Sequence, residues 1–224
     1  MTKRLSRQEG LKAGILLLVY VVFMIFPPTQ RVIEAQLPKA WSSNFALNAS
    51  MYAVPILVAV VFYGRSTLQN FHYFQDHPWR KSGRVLLWFV ALLFGNLLAN
   101  LLVGVGKTTS NQAGITQMAD ATPLWATTLL LVILGPLLEE NVFRRVLLSD
   151  LSQVIPRWLA ITISGCAFVL IHVNAPQDII SYVPLGIIFT AAYVLNGENI
   201  AFTWSLHMLN NLMGVLATAF VTLH

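Results

Sequence analysis

Long apolar runs recur along this chain of 224 residues and constrain its fold more than any other feature. About seven can be separated, and each is close to the roughly 17 to 25 residues that an α-helix needs to cross a bilayer. The runs lie at about residues 11–27, 49–64, 85–104, 124–150, 158–175, 179–195 and 199–222. The mixed stretch 28–48 leaves room for one interfacial helix. The pattern predicts an all-α fold, a polytopic transmembrane helical bundle of about seven to eight helices.

The composition supports a membrane environment and argues against nucleic acid as a partner. Charged residues make up 10% of the chain and hydrophobic residues 56%, whereas a soluble domain carries about 25% charged residues. The net charge is +5, but the basic residues cluster at the ends of apolar runs instead of forming one polar face. Their expected partners are the phosphates of the lipid bilayer. The single cysteine, Cys166, excludes an internal disulfide, and its apolar neighbours predict a packing role.

The positions of lysine and arginine between the runs predict the orientation. If the N-terminus lies in the cytoplasm, 11 of the 14 lysine and arginine residues lie at or near the cytoplasmic face. The three on the other side of the membrane are Arg31, Lys39 and Lys107. The amino terminus is therefore predicted to be cytoplasmic. No Gly/Ser-rich linker, low-complexity tract or internal repeat divides the chain. We expect a single integral membrane domain over residues 1–224. Polar side chains of the kinds that catalysis uses concentrate within about 124–222, so we expect any catalytic helices there.

Two adjacent carboxylates, Glu139 and Glu140, lie inside the fourth apolar run. Ionisable groups at bilayer depth are costly unless they are protonated, paired or facing a wet cavity, so they are functional candidates. On a helix Glu140 faces Arg144 one turn later and can pair with it. Glu139 points about 100° away and is free to take up a proton. Gly135-Pro136 should loosen the helix just before the pair.

Two histidines and an asparagine lie on other runs. His172 ends the fifth run, and His207 and Asn211 are four residues apart in the seventh, on one helix face. Each alone is compatible with ordinary hydrogen bonding between helices. The depths of Glu139 and His172 match if the fourth helix continues to about Gln153, which would allow these side chains to converge in one pocket.

Three short motifs resemble those of a known family, the CPBP (Abi) intramembrane proteases. This family includes type II CAAX prenyl endopeptidases and proteins linked to bacteriocin processing or self-immunity. Its motifs are present in order and on separate predicted helices, as Glu139-Glu140-Asn-Val-Phe-Arg144, Phe168-Val-Leu-Ile-His172 and His207-Met-Leu-Asn-Asn211. The resemblance covers about residues 124–215, and the ordered triple is far more specific than any single motif.

The resemblance implies an intramembrane endopeptidase and a role for the motif residues. Glu139 with His172 would activate a water molecule, while His207 and Asn211 would hold the oxyanion of the tetrahedral intermediate. This division fits the chemistry of peptide hydrolysis, which needs a base and oxyanion donors. The expected partner is a membrane-associated peptide or protein substrate.

Glu140 and Arg144 are expected to support the site rather than react. No cofactor is expected, because motifs of zinc, serine and other protease classes are absent from the sequence. Zinc is the alternative, since Glu139, His172 and His207 offer three ligands and leave a fourth position for water.

Two other functions stay open at the level of sequence. Buried glutamate and histidine also occur in transporters and proton relays, although no inverted pair of broken helices is recognisable. A non-catalytic immunity protein that binds a bacteriocin or its receptor is the second alternative. The expected location is the bacterial plasma membrane, and by analogy with the family the substrates are leader or signalling peptides or bacteriocin precursors.

Overall fold

A computed structural model of the protein describes residues 5–38, 44–103, 113, 116–118 and 122–222, and this part of the chain is helical without strands. It contains eight long helical segments. They are α1 (Arg7–Tyr20, continued by a π turn Val21–Ile25), α2 (Pro27–Gln36), α3 (Asn44–Gln69), α4 (Pro78–Val103), α5 (Leu124–Gln153), α6 (Arg157–Ile171), α7 (Asp178–Leu195) and α8 (Ile200–Thr222).

The helices confirm the predicted all-α membrane bundle. One lies at each of the seven apolar runs, and α2 occupies the mixed stretch where an eighth helix was expected. Five helices in the described residues are long and apolar enough to cross a membrane. They are Arg7–Ile25, Phe45–Phe74, Pro78–Leu102, Leu124–Gln153 and Asp178–Leu195.

Helix α5 is the central helix of the bundle. In its most apolar stretch 67% of the residues are buried, whereas the corresponding share is 17% to 44% in the other four candidate spans. It contacts α1, α3, α6 and α8. It also continues to Gln153, the length at which Glu139 and His172 were expected to reach a common depth.

Two sequence-based expectations need correction. The fifth predicted run, 158–175, forms a helix that ends at Ile171, because the Asp178 carboxylate accepts hydrogen bonds from the backbone N–H groups of Asn174 and Ala175 and holds them in a turn. With 15 residues, α6 is shorter than the other spans. Cys166 was expected to pack inside, but its side chain is exposed on α6. An apolar sequence around a residue does not distinguish a core face from a face turned to lipid.

The packing of α6 against α7 depends on Gly186. A Cβ atom at this position would lie 2.6 Å from Val169 Cγ2 and 3.3 Å from the carbonyl oxygen of Gly165. Because valine is stiff at χ1 and the carbonyl is backbone, Gly186→Ala should destabilise the protein by about 1–3 kcal/mol. Thermal unfolding in detergent measures this change.

Gly83→Ala on α4 is the matched control. No atom lies within 4 Å of a Cβ at position 83, so alanine there should be neutral or raise stability by up to about 1 kcal/mol. Equal melting temperatures for the Gly186→Ala protein and the wild type would contradict the close packing of α6 and α7.

Candidate active site

Helix α5 changes its winding around the two glutamates. The regular turn Gly135–Glu139 lies between two π-type stretches, Leu129–Leu134 and Glu140–Asp150. Pro136 has no N–H to donate to the preceding turn, and π turns inside α-helices are frequently found at functional sites. The loosening predicted at Gly135-Pro136 therefore takes the form of widened turns on both sides of the Glu139 turn.

Glu139 lies where three helical segments meet. Its Oε2 atom is 3.8 Å from His172 Nε2 and 3.8 Å from His207 Nε2. The side chain is 9% exposed, and Oε2 accepts no hydrogen bond from the described residues. Both separations exceed a direct hydrogen bond and suit a bridging water molecule. The convergence expected of Glu139, His172 and His207 is thus present.

His172 forms the C-terminal cap of α6, and its ring orientation is fixed by the backbone. Nδ1 lies 2.8 Å from the carbonyl oxygen of Phe168. Because a carbonyl can only accept, Nδ1 donates, and Nε2 carries the lone pair in the neutral ring. Tyr182 of α7 stacks on the ring, with centroids 4.8 Å apart. Nε2 of His172 therefore faces the Glu139 carboxylate at 3.8 Å.

His207 lies between both carboxylates. Its Nδ1 atom donates to Glu140 Oε1 at 3.0 Å, while Nε2 faces Glu139. The side chain is only 4% exposed, and the rings of Phe189 and Phe168 lie 4.6 and 5.9 Å from it, centroid to centroid. An aromatic enclosure thus holds the imidazole in place.

Glu140 and Arg144 form the predicted pair one turn apart. Arg144 Nε is 3.6 Å from Glu140 Oε2, and both side chains are almost fully buried. Arg144 Nη1 also donates to Ser164 Oγ at 3.4 Å, and that hydroxyl donates to the carbonyl oxygen of Phe143 at 2.8 Å. The pair therefore connects α5 to α6 next to His207.

Phe168 gives the second motif a physical meaning beyond its histidine. Its ring lies under the Arg144 guanidinium at 4.9 Å and contacts His172, with centroids 4.8 Å apart. Its carbonyl orients His172. One residue, 1% exposed, therefore packs against the ion pair and both histidines.

Asn211 is placed differently from the other motif residues. Its Nδ2 donates to the carbonyl oxygen of Leu131 at 2.9 Å, and its Oδ1 accepts from Asn210 at 3.2 Å. Within the described ranges it makes no hydrogen bond to Glu139 or His207. The structure thus brings Glu139, Glu140, His172 and His207 together and leaves Asn211 one helical turn away on α8.

Several residues around the site were not identified from the sequence. Ser164, which is fully buried under Arg144, could have been found as a polar residue one turn before Phe168 in an apolar run. Tyr182 carries no such signal, because its stacking on His172 depends on how α7 returns against α6. No group of three or more His, Cys, Asp or Glu side chains among the described residues is arranged to hold a metal ion.

The site residues lie in a segment of the chain that is similar to known proteins. Residues 121–213 match a family model described as type II CAAX prenyl endopeptidase, Rce1-like. The chain is 29% identical over 140 residues to the membrane-embedded CAAX protease MroQ of Staphylococcus aureus, which covers 60% of this chain and 55% of MroQ. No solved structure matches at a significant level.

Two further relatives extend the likeness. The protein YbdI of Lactococcus lactis is 26% identical over 117 residues, 48% of this chain and 63% of YbdI. An uncharacterized protein of Mycoplasma capricolum is 24% identical over 196 residues, 79% of this chain and 56% of its own length. The chain thus spans little more than half the length of these curated relatives. The family predicted from the three motifs is confirmed for residues 121–213, which are Rce1-like and of the CPBP type.

Proposed function

We propose that this protein is an intramembrane endopeptidase that hydrolyses a peptide bond of a membrane-associated peptide or protein. The observation that carries the proposal is the position of Glu139 Oε2, buried and 3.8 Å from the Nε2 atoms of both His172 and His207. The match of residues 121–213 to a family of endopeptidases supports the same reaction class.

The proposed nucleophile is a water molecule between Glu139 and His172. Both groups present acceptors toward each other, since the neutral His172 ring has its proton on Nδ1. A water that donates to Glu139 Oε2 and His172 Nε2 therefore has a lone pair free for the scissile carbonyl carbon. As the oxygen attacks, its proton passes to Glu139, which later delivers it to the amine nitrogen as the C–N bond breaks.

The proposed oxyanion donors are His207 and Asn211. His207 donates its Nδ1 proton to Glu140, so donation from Nε2 to an oxyanion requires the doubly protonated ring. Asn211 has a second N–H on Nδ2 besides the one that reaches Leu131.

Zinc is the alternative activator in this proposal. The Nε2 atoms of His172 and His207 face Glu139. Their Nδ1 atoms donate to the Phe168 carbonyl and the Glu140 carboxylate, and metal-bound histidines usually donate their second N–H to acceptors of these kinds. Bound zinc would polarise the carbonyl and acidify the water. The reaction proposed above uses no cofactor.

The proposal also covers the class of substrate and the location of the protein in the cell. We propose a bacterial plasma membrane with the amino terminus in the cytoplasm, and substrates among leader or signalling peptides or bacteriocin precursors, in processing or self-immunity. MroQ is named as a CAAX protease, and that name describes MroQ. Lipid contacts are expected along the apolar helices, and no nucleic acid is expected to bind.

The test compares peptides released by membranes that contain equal amounts of the wild type or of Glu139→Gln, measured by mass spectrometry. We expect a set of peptides to disappear in the variant. Glu34→Gln, an exposed glutamate on α2, is the matched control and should leave the profile unchanged. Identical profiles for the wild type and Glu139→Gln would reject proteolysis and favour a binding or transport role.

A metal arm uses the same membranes. If the peptides disappear with a chelator and return with zinc, and elemental analysis finds zinc in the purified protein, the metal alternative replaces the metal-free reaction. Activity that resists the chelator would support the reaction without a cofactor.

A further inference from the structure

A chain of three asparagine amides crosses the bundle and ends at helix α5. Asn96 Nδ2 on α4 donates to Asn210 Oδ1 at 3.5 Å. Asn210 Nδ2 donates to Asn211 Oδ1 at 3.2 Å, and Asn211 Nδ2 donates to the carbonyl oxygen of Leu131 at 2.9 Å. Asn96 lies outside the segment matched by the family model, and neither Asn96 nor Asn210 is one of the defined motif residues.

The acceptor at the end of this chain exists because of Pro136. In an α-helical turn the Leu131 carbonyl would accept from Gly135 N–H, but that group donates to Leu130. In a π turn it would accept from residue 136, which is a proline without an N–H. The carbonyl is left without either donor, and Asn211 supplies one from α8. The loosened helix near Glu139 and the third motif are thus physically connected.

The Leu131 carbonyl also sets the direction of every amide in the chain. A carbonyl oxygen can only accept, so Asn211 must turn Nδ2 toward α5 and Oδ1 toward Asn210. Asn210 must then present Nδ2 to Asn211 and Oδ1 to Asn96. An asparagine side chain alone could flip with little cost, whereas here each flip would place two oxygens against each other.

We propose that Asn96 and Asn210 are positioning residues of the proteolytic reaction, which hold the Asn211 amide so that its second Nδ2–H donates to the oxyanion. This inference rests on the proposed function. One Nδ2–H of Asn211 is occupied by Leu131, and the other makes no hydrogen bond to the residues that the structure describes. Asn211 follows His207 by one turn of α8, so both donors approach the substrate from the same helix.

The kinetic test uses the full-length protein in detergent and a synthetic peptide that spans a cleavage site lost in Glu139→Gln. Asn210→Leu and Asn96→Leu should each lower kcat by about 5- to 10-fold, the loss of one hydrogen bond, with KM unchanged. Asn96→Gln keeps the donor and should recover most of kcat. Asn100→Leu, an exposed asparagine one turn further along α4, is the matched control and should keep the wild-type kcat.

A second measurement does not depend on activity. Hydrogen exchange of the Asn211 Nδ2 protons, followed by nitrogen-15 NMR and assigned with Asn211→Gln, should be faster in Asn96→Leu and Asn210→Leu than in Asn100→Leu. Faster exchange together with lower kcat supports the proposal. The proposal is overturned if either the exchange rate or kcat is unchanged. It is also overturned if the variants lose stability and kcat and KM change together, because the asparagines would then only hold the helices together.

The two proposals fail in different ways. If Glu139→Gln removes no peptide, proteolysis is rejected, and the exchange measurement alone decides whether the amide chain orients Asn211. If Glu139→Gln removes the peptides while Asn96→Leu and Asn210→Leu cleave normally, the endopeptidase proposal stands and the positioning role is rejected.

Discussion

Glu139→Gln is expected to lower kcat for a Glu139-dependent peptide by about 10²- to 10⁴-fold, the usual contribution of a general base. The amide keeps the size of the side chain but cannot accept the proton of the attacking water. KM should change little, because the carboxylate acts on the water rather than on the substrate. Steady-state kinetics of the purified variant measures both parameters.

The companion variant His172→Gln tests whether the two residues hold the same water. Each nitrogen-to-oxygen separation at Glu139 is 3.8 Å, so one water can contact Glu139 and His172 together. We therefore expect His172→Gln to be strongly impaired and the double variant to be little slower than Glu139→Gln alone, since residues that act as a unit are not additive. If the loss of kcat in the double variant equals the product of the losses in the two single variants, the residues act on different steps.

His72→Gln is the control for this pair. His72 is exposed in the turn after α3, where its Nδ1 atom contacts Gln75 Oε1 at 2.8 Å. The His72→Gln variant should cleave the peptide at the wild-type rate. A rate for Glu139→Gln within about threefold of the wild type, far below a base's usual contribution, would contradict the assignment of the base.

Arg144→Met is expected to have the largest effect on stability, about 3–5 kcal/mol, because it removes one partner of a buried ion pair. The Arg144 and Glu140 side chains are 0% and 1% exposed. Methionine would leave Glu140 with His207 as its hydrogen-bond donor and leave Ser164 without the guanidinium. Chemical or thermal unfolding in detergent measures the free energy of unfolding. The stability of Arg144→Lys should lie between those of the wild type and Arg144→Met.

Two further variants identify the cause of that loss. Glu140→Gln combined with Arg144→Met removes both charges and should recover a large part of the stability. Arg145→Met changes the neighbouring arginine, which is only partly buried over the Tyr63 ring at 5.0 Å, and should cost far less. Equal losses for Arg144→Met and Arg145→Met would show that the ion pair is not the origin of the effect.

The helices of this protein could be predicted because a bilayer imposes a simple rule on the sequence. Backbone groups in hydrocarbon must be satisfied within the segment, so long apolar runs become helices wherever they occur. Helix ends were less predictable. The early end of α6 depends on the Asp178 side chain, which accepts from residues four and three positions earlier, and the exposure of Cys166 depends on which helix face meets its neighbours.

The sequence by itself determined the all-α membrane fold, the family of residues 121–213 and the candidates Glu139, His172 and His207, because motif spacing and apolar length are properties of the chain alone. Only the tertiary structure decided that both Nε2 atoms face one carboxylate oxygen, since that requires α5, α6 and α8 to meet at one depth. It also decided the partner of Asn211. A proline frees the Leu131 carbonyl, but only packing brings α8 close enough to donate to it.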